Sequence, residues 1–333
     1  MGFSEFTDKL LRRNGPIITL GRAGLDLYPV PDGVKSAQAT HFASDMGGSA
    51  GNIAAALARR QVSVGLLSCV SSDPAGDFVM SKLAELGVAA ELVGRTTGLA
   101  RTSLALAESR TSHCEVVIYR NDAADLHLSQ DQFSHLFDKP HKALVITGTA
   151  LSAGSSRALL LSKSASLAAS GLPLILDIDF RITAWADESD AADTYRKILP
   201  YLSLLVGNDE EFEVLAKGTG QDGLSYARAL AADGMAILYK MGAQGCRVLG
   251  PDLDQCIGIY PVQPLKPFGA GDAFLGNFLA CLLEGQDVGE AVQAGAAAAA
   301  LVVTKRGCAS AMPDAKTLDE FMDAHAYQLS ILD

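Results

Sequence analysis

No Cys-x-x-Cys pair occurs in the sequence, and no Cys/His cluster has zinc-ligand spacing; six cysteines stand apart at 69, 114, 246, 256, 281 and 308. That usage excludes a legible metal finger and fits reduced thiols buried in a core. A bilayer-spanning helix needs roughly 20 apolar residues, and the longest uncharged run near the C-terminus, Ala291 to Thr304, falls short of that. The opening MGFSEFTDKLLRRNG has no apolar core of a signal peptide, and Phe6 stands where a myristoylation signal wants Ser or Thr. A cytoplasmic protein with no membrane partner is therefore expected. No run of Lys or Arg forms a nucleic-acid footprint, and the net charge is −11. A G-x-x-x-x-G-K-[ST] loop is also missing, which excludes a P-loop enzyme, and Gly21-Arg22-Ala23-Gly24 is too short for a dinucleotide fingerprint. Without internal repeats, low-complexity tracts or a Pro/Ser linker, residues 1–333 read as one domain.

Hydrophobic residues make up 49% of the chain, enough for a full core. They fall in short apolar runs: Ile17–Gly21, Val64–Val70, Ala143–Thr147, Leu172–Asp177, Leu202–Gly207 and Ala236–Tyr239. Helical stretches separate them, such as 51–60, Asp73–Leu86 stopped by Gly87, and Ser155–Ser170. Such alternation predicts an α/β protein with a mostly parallel sheet covered on both faces. Residues 25–45 and 98–120 leave that rhythm, with β-prone pieces that alternate as antiparallel strands with one solvated face do. They read as two insertions forming one small sheet, a candidate lid.

The strongest chemical signal is Gly269-Ala270-Gly271-Asp272 at the start of a helical stretch running to Leu283. Free N–H groups and the positive dipole end at a helix N-terminus bind an anion, and small residues let a phosphate approach the backbone. A carboxylate one residue further on can take the proton of a hydroxyl that attacks a phosphoryl group held there. The same residues also read as an ordinary Gly loop with an Asp at a helix start. Likewise Asn208 and Glu211 could be a plain helix cap, Gly47-Gly48 a turn, and Gly242 with Gly245 a hairpin turn.

The segment Lys266–Phe274 resembles the C-terminal signature of the PfkB, or ribokinase-like, carbohydrate kinases, and four further matches follow that family's order. Gly47-Gly48-Ser49-Ala50-Gly51-Asn52 looks like its Gly-Gly…Asn signature, and Asn208-Asp209-Glu210-Glu211 like its N-x-x-E motif. Lys240–Gly245 resembles the strand-end Gly turn, and Asp26 follows the first strand as the family's sugar-binding acid does. The resemblance spans residues 16–314. It implies a ribokinase-like three-layer fold with a small inserted β-sheet lid, and an ATP-dependent kinase using Mg2+. Asp272 would be the base, with Gly269, Ala270 and Gly271 as the anion hole. Asn208, Lys240, Gly242 and Gly245 would line the nucleotide, Glu211 would serve the metal, and Asp26, Gly47, Gly48 and Asn52 the acceptor. Family members often pair as homodimers through the lid. The chain departs from the family at Gln61, Ser71 and Asn277, where glycine is common, and at Lys266-Pro267-Phe268, where most members have Asp-Thr-Thr.

Further segments, GRAGLDLYP at 21–29, 119–125, Asp177–Arg181 and Arg306-Gly307-Cys308, are similar to a branch of the family that serves inositol catabolism. That branch phosphorylates the terminal hydroxyl of a keto-deoxy sugar acid. An arginine at a strand end also reads as a surface ion pair, but Arg22, Arg120 and Arg181 all stand at predicted site-facing strand ends, and a guanidinium fork suits a carboxylate. An acid of the 2-keto-3-deoxygluconate type, a neutral sugar such as ribose or fructose, and a non-catalytic sugar-binding regulator remain the alternatives.

Overall fold

A computed structural model describes residues 2–110 and 114–330. The strands are β1 (Ile17–Leu20), β2 (Gly24–Val30), β3 (His41–Gly47), β4 (Val64–Ser71), β5 (Val93–Thr96), β6 (Leu104–Ala107), β7 (Val116–Tyr119), β8 (Ala143–Thr147), β9 (Leu174–Asp177), β10 (Leu204–Asn208), β11 (Ala236–Lys240), β12 (Cys246–Gly250) and β13 (Leu253–Ile257). The helices are α1 (Phe3–Arg12), α2 (Ser49–Arg59), α3 (Pro74–Leu86), α4 (Gln130–Asp138), α5 (Gly154–Ala169), α6 (Glu188–Ile198), α7 (Asp209–Ala216), α8 (Gly223–Ala232), α9 (Ala270–Leu283), α10 (Val288–Val303) and α11 (Ala315–Ala324).

Nine strands form one sheet in the order β13-β12-β11-β10-β9-β8-β1-β4-β5. From β11 to β5 all neighbours are parallel; β12 and β13 return antiparallel. Strands buried on both faces read as continuous apolar runs, and alternate residues serve two cores. Ile17, Val145 and Val206 pack against α1, α2, α3, α9 and α10, whereas Ile18, Ile146 and Leu205 pack against α4 to α8. Three layers result. Local signals set the helix ends: α3 has Asp73 accepting from Ala75 N and Gly76 N, Pro74 at its first position, and Gly87 left-handed at φ 73°.

Two apolar runs start their strands late. Pro173 has no N–H to give a ladder, so β9 begins at Leu174 rather than Leu172. Residues Leu199–Tyr201 form a 3-10 turn, with Leu202 N donating to Leu199 O, so β10 begins at Leu204.

The two irregular segments build a second sheet in the order β3-β2-β6-β7. The expectation of antiparallel strands needs one correction: β2 and β6 pair in parallel, and only β2–β3 and β6–β7 are antiparallel. A chain that leaves β2 and returns only after α2 and α3 re-enters by a crossover, which permits parallel pairing. Val116, Val117 and Tyr119 on β7 and Phe42 on β3 are exposed. Among the described residues, no helix is long and apolar enough to cross a membrane.

Candidate active site

The residues singled out from the sequence gather along one edge of the large sheet. Asp177, Asn208 and Lys240 end β9, β10 and β11, and α2, α7 and α9 begin there. In open parallel sheets, ligands bind at this carboxyl edge.

Gly269 precedes α9 with φ 85°, and a Cβ on it would lie 2.9 Å from Cys308 Sγ, so only glycine fits. The N–H groups of residues 269–272 take no hydrogen-bond partner among the described residues, as expected of a first helical turn. Above it hangs Lys240: its Nζ lies 3.1 Å from where a Cβ on Gly271 would be, and it donates to Asp177 Oδ1 at 3.2 Å. Asp272 Oδ2 accepts from Asn52 Nδ2 at 2.7 Å, which joins the Gly-Gly…Asn and Gly-Ala-Gly-Asp segments across 220 residues. Asn52 Oδ1 is buried and has no hydrogen-bond partner among the described residues.

Four carboxylates share this space. Burial, reinforced by Asp179 and Asp177, pushes Asp272 up to about 7. Burial also lifts Glu211 to about 7 against the pull of Lys240, and it raises Asp177. Burial alone would lower Lys240, but Asp177, Glu211 and Asp272 together hold it above its ordinary value. Arg181 is raised first by Asp179, then by Glu211 and Asp272.

Asn208 and Glu211 form a capping box, so the plain helix-start reading describes their geometry. The box also aims Glu211 at the carboxylate group, with Oε1 accepting from Phe180 N and Oε2 from Asn208 N. No three His, Cys, Asp or Glu side chains among the described residues form a metal-binding group. Glu211, Asp177, Asp179 and Asp272 are hard oxygen donors of the kind magnesium takes through its waters. Gly242 and Gly245 do make the β11–β12 hairpin turn. Gly242 (φ 56°) faces open space, while a Cβ on Gly245 (φ 99°) would lie 2.1 Å from Ile257 O.

On the small-sheet side, Arg22 is buried, with Nη1 donating to Ser103 Oγ at 3.1 Å and Nη2 3.5 Å from Asp26 Oδ1. Tyr28 donates its hydroxyl to Asp26 Oδ2 at 3.3 Å, and burial raises Asp26 despite Arg22. The glycine pair makes this packing possible. A Cβ on Gly47 would sit 1.9 Å from Asp26 Oδ2, and Gly48 (φ 96°) lies against Arg22 O.

Each arginine meets a different acid. Arg120 donates from both Nε and Nη2 to one oxygen, Oδ2, of buried Asp125 and also donates to Thr149 O and Ser152 Oγ, leaving one Nη1 hydrogen. Arg181 is over half exposed and 3.3 Å from Asp179, with Glu211, Asp272 and Asp177 also acting on it. Sequence reasoning missed Ser103, Asp125 and Asp45. Asp45 lies opposite Asp26 in the β2–β3 ladder and accepts from Cys308 N, Ser310 N and Ser310 Oγ.

The sequence matches the pfkB family carbohydrate kinase family over residues 16–315. The 5-dehydro-2-deoxygluconokinase of Photobacterium profundum is 34% identical over 328 residues, covering 96% of this chain and 98% of the relative. That of Shouchella clausii is 32% identical over 305 residues, 89% of this chain and 92% of the relative. Among solved structures, a fructokinase with bound ATP from Xylella fastidiosa superposes with TM-score 0.79 at 23% identity, covering 93% of this chain and 98% of that one.

Proposed function

The chain belongs to the pfkB family of carbohydrate kinases, and from that premise we propose that it transfers the γ-phosphoryl group of ATP to the terminal hydroxyl of 5-dehydro-2-deoxy-D-gluconate, a step of inositol catabolism. The observation that carries the site assignment is the meeting of Asp272, Asn52 and Lys240 at the open first turn of α9.

Asn52 holds Asp272 Oδ2, leaving Oδ1 for the acceptor hydroxyl. As the hydroxyl oxygen bonds to the γ-phosphorus, its proton passes to Asp272 and the bond to the β,γ-bridging oxygen breaks. Charge growing on the phosphoryl oxygens is met by the N–H groups of residues 269–271 and by Lys240. Glu211, through water, and the phosphates would hold Mg2+, which supplies charge neutralisation across the β- and γ-phosphates. Arg181, set among the carboxylates, joins the phosphoryl side. Asp26 and buried Arg22 take the acceptor, Arg22 facing its carboxylate, with the spare hydrogen of Arg120 in support. Asn208 shapes the start of α7, and the hairpin of Gly242 and Gly245 faces the nucleotide.

kcat/KM over four acceptors tests the substrate: the 5-dehydro acid, 2-keto-3-deoxygluconate, ribose and fructose. The 5-dehydro acid should lead, and Arg22→Ala should cost about 2–5 kcal/mol of transition-state binding for it and little for the neutral sugars. A lead for ribose or fructose would overturn the carboxylate reading. Exposed Val116, Val117, Tyr119 and Phe42 support pairing of two copies through the small sheet in the cytoplasm; a monomer by light scattering would refute the pairing.

A further inference from the structure

Among the described residues, Lys266 is the one lysine in the set of fully buried large side chains, with 0% exposure. No carboxylate lies within 4.0 Å of its Nζ among the described residues. A buried ammonium without a counter-ion is expensive to keep, and a methionine would fill the same space without that cost. Its contacts all lie at one place. Nζ donates to Phe268 O at 2.7 Å, approaches Cys308 Sγ at 3.8 Å and stands 4.9 Å from the centre of the Phe268 ring. Cys308 does not supply a thiolate, since burial pushes its thiol up to about 12. The backbone of Lys266 is tied to the end of α10 through Val303 O, so the ammonium has a fixed base.

Phe268 O belongs to the same peptide unit as the N–H of Gly269. In a planar trans peptide the carbonyl and the N–H point in opposite directions. Drawing the carbonyl toward Lys266 therefore turns the Gly269 N–H the other way, away from Lys266. Gly269 alone could not fix this, because glycine at φ 85° permits the peptide to rotate. Cys308 Sγ, packed 2.9 Å from the Cβ position of Gly269, closes the same floor from below.

We propose that Lys266 is a positioning residue for phosphoryl transfer: its buried ammonium pins the Phe268–Gly269 peptide so that the Gly269 N–H faces the transferred phosphoryl group, and it places positive charge beneath that group. The proposal rests on the kinase reading of the α9 N-terminus.

The test uses the full chain, MgATP and the 5-dehydro acid. Removing one oxyanion donor costs about 10²–10³-fold in kcat, and Lys266→Met, checked for folding by circular dichroism, should lose about 10²-fold with KM for both substrates within about threefold. Lys266→Ala should regain about fivefold or more of its lost kcat with propylammonium and not with tetramethylammonium, a readout that a packing role would not move. A folded Lys266→Met with kcat within about threefold of wild type would overturn the proposal. So would amines that raise the melting temperature of Lys266→Ala without restoring turnover. Failure of both variants to fold would make Lys266 a structural residue and overturn the positioning claim. Absence of any turnover by the wild type would instead refute the kinase reading.

Discussion

At the scale of single residues, the site stores unfavourable charge. The folded chain keeps a proton on Asp272 up to about 7, because burial and the neighbours Asp179 and Asp177 resist its ionisation. The unfolded chain releases that proton in the ordinary carboxylate range. Between those two points the folded state binds more protons, so stability falls as pH rises. Asp272→Asn should therefore melt at a higher temperature than wild type at about pH 8, and the two should converge at about pH 4. Thermal melts at both pH values check this; a lower melting temperature for the variant at the higher pH would refute it. In the free enzyme, acceptor kcat/KM should fall as pH drops through about 7, because the base is then protonated. Glu211 caps α7, and the proposed reading adds a metal duty to the same side chain. Its oxygens accept from Phe180 N and Asn208 N, and a glutamine can satisfy only one of them. Glu211→Gln should cost about 1 kcal/mol through the lost cap and raise the Mg2+ concentration for half-maximal rate. An unchanged Mg2+ titration would leave Glu211 a capping residue alone.

At the scale of elements, turns position the chemistry. The pair Gly47-Gly48 reads from sequence as a turn before a helix, and it is one, but its tight demand comes from Asp26 and Arg22 across the small sheet. Gly47→Ala should displace Asp26 and raise the acceptor KM several-fold while the KM for ATP stays near its wild-type value. Equal effects on both, by initial-rate kinetics, would place Asp26 outside the acceptor pocket. Helix starts were legible where the signal is local, as in the Asp73-Pro74 cap of α3 and the Asn208–Glu211 box of α7. The partners of the arginines were not. Ser103 lies 81 residues from Arg22, and the bonds of Asp45 to Cys308 and Ser310 span over 260 residues. Nothing in a local pattern announces such pairs. Arg120 differs: Asp125, five residues on, takes two of its donors, as the ion-pair reading of a strand-end arginine allowed, and Thr149 and Ser152 take two more.

At the scale of the whole molecule, period and order carried the fold. Apolar runs of a few residues alternating with helical stretches announced a parallel sheet, because strands covered on both faces need no polar alternation. The short edge strand β5 and the outer return strand β13 were not expected, since edges carry weaker apolar runs, as exposed Asp254 and Gln255 on β13 show, whereas the fully buried β12 was announced only by the hairpin reading of Gly242 and Gly245. The parallel pairing of β2 with β6 was hidden because two strands far apart in sequence leave no turn to read. Their joining brings Arg22 beside Ser103, and Tyr28 of the small sheet stacks on Phe268 just before α9, the arrangement in which the proposed reading has acceptor and phosphoryl donor meet at Asp272. The account turns on that meeting. Single-turnover transfer of the γ-phosphoryl group from MgATP to 5-dehydro-2-deoxygluconate, with ATP affinity measured alongside, tests it most directly. The account predicts transfer by wild type and a loss of about 10²–10⁴-fold in folded Asp272→Asn, with ATP affinity nearly unchanged; a near-wild-type rate in that variant would contradict it.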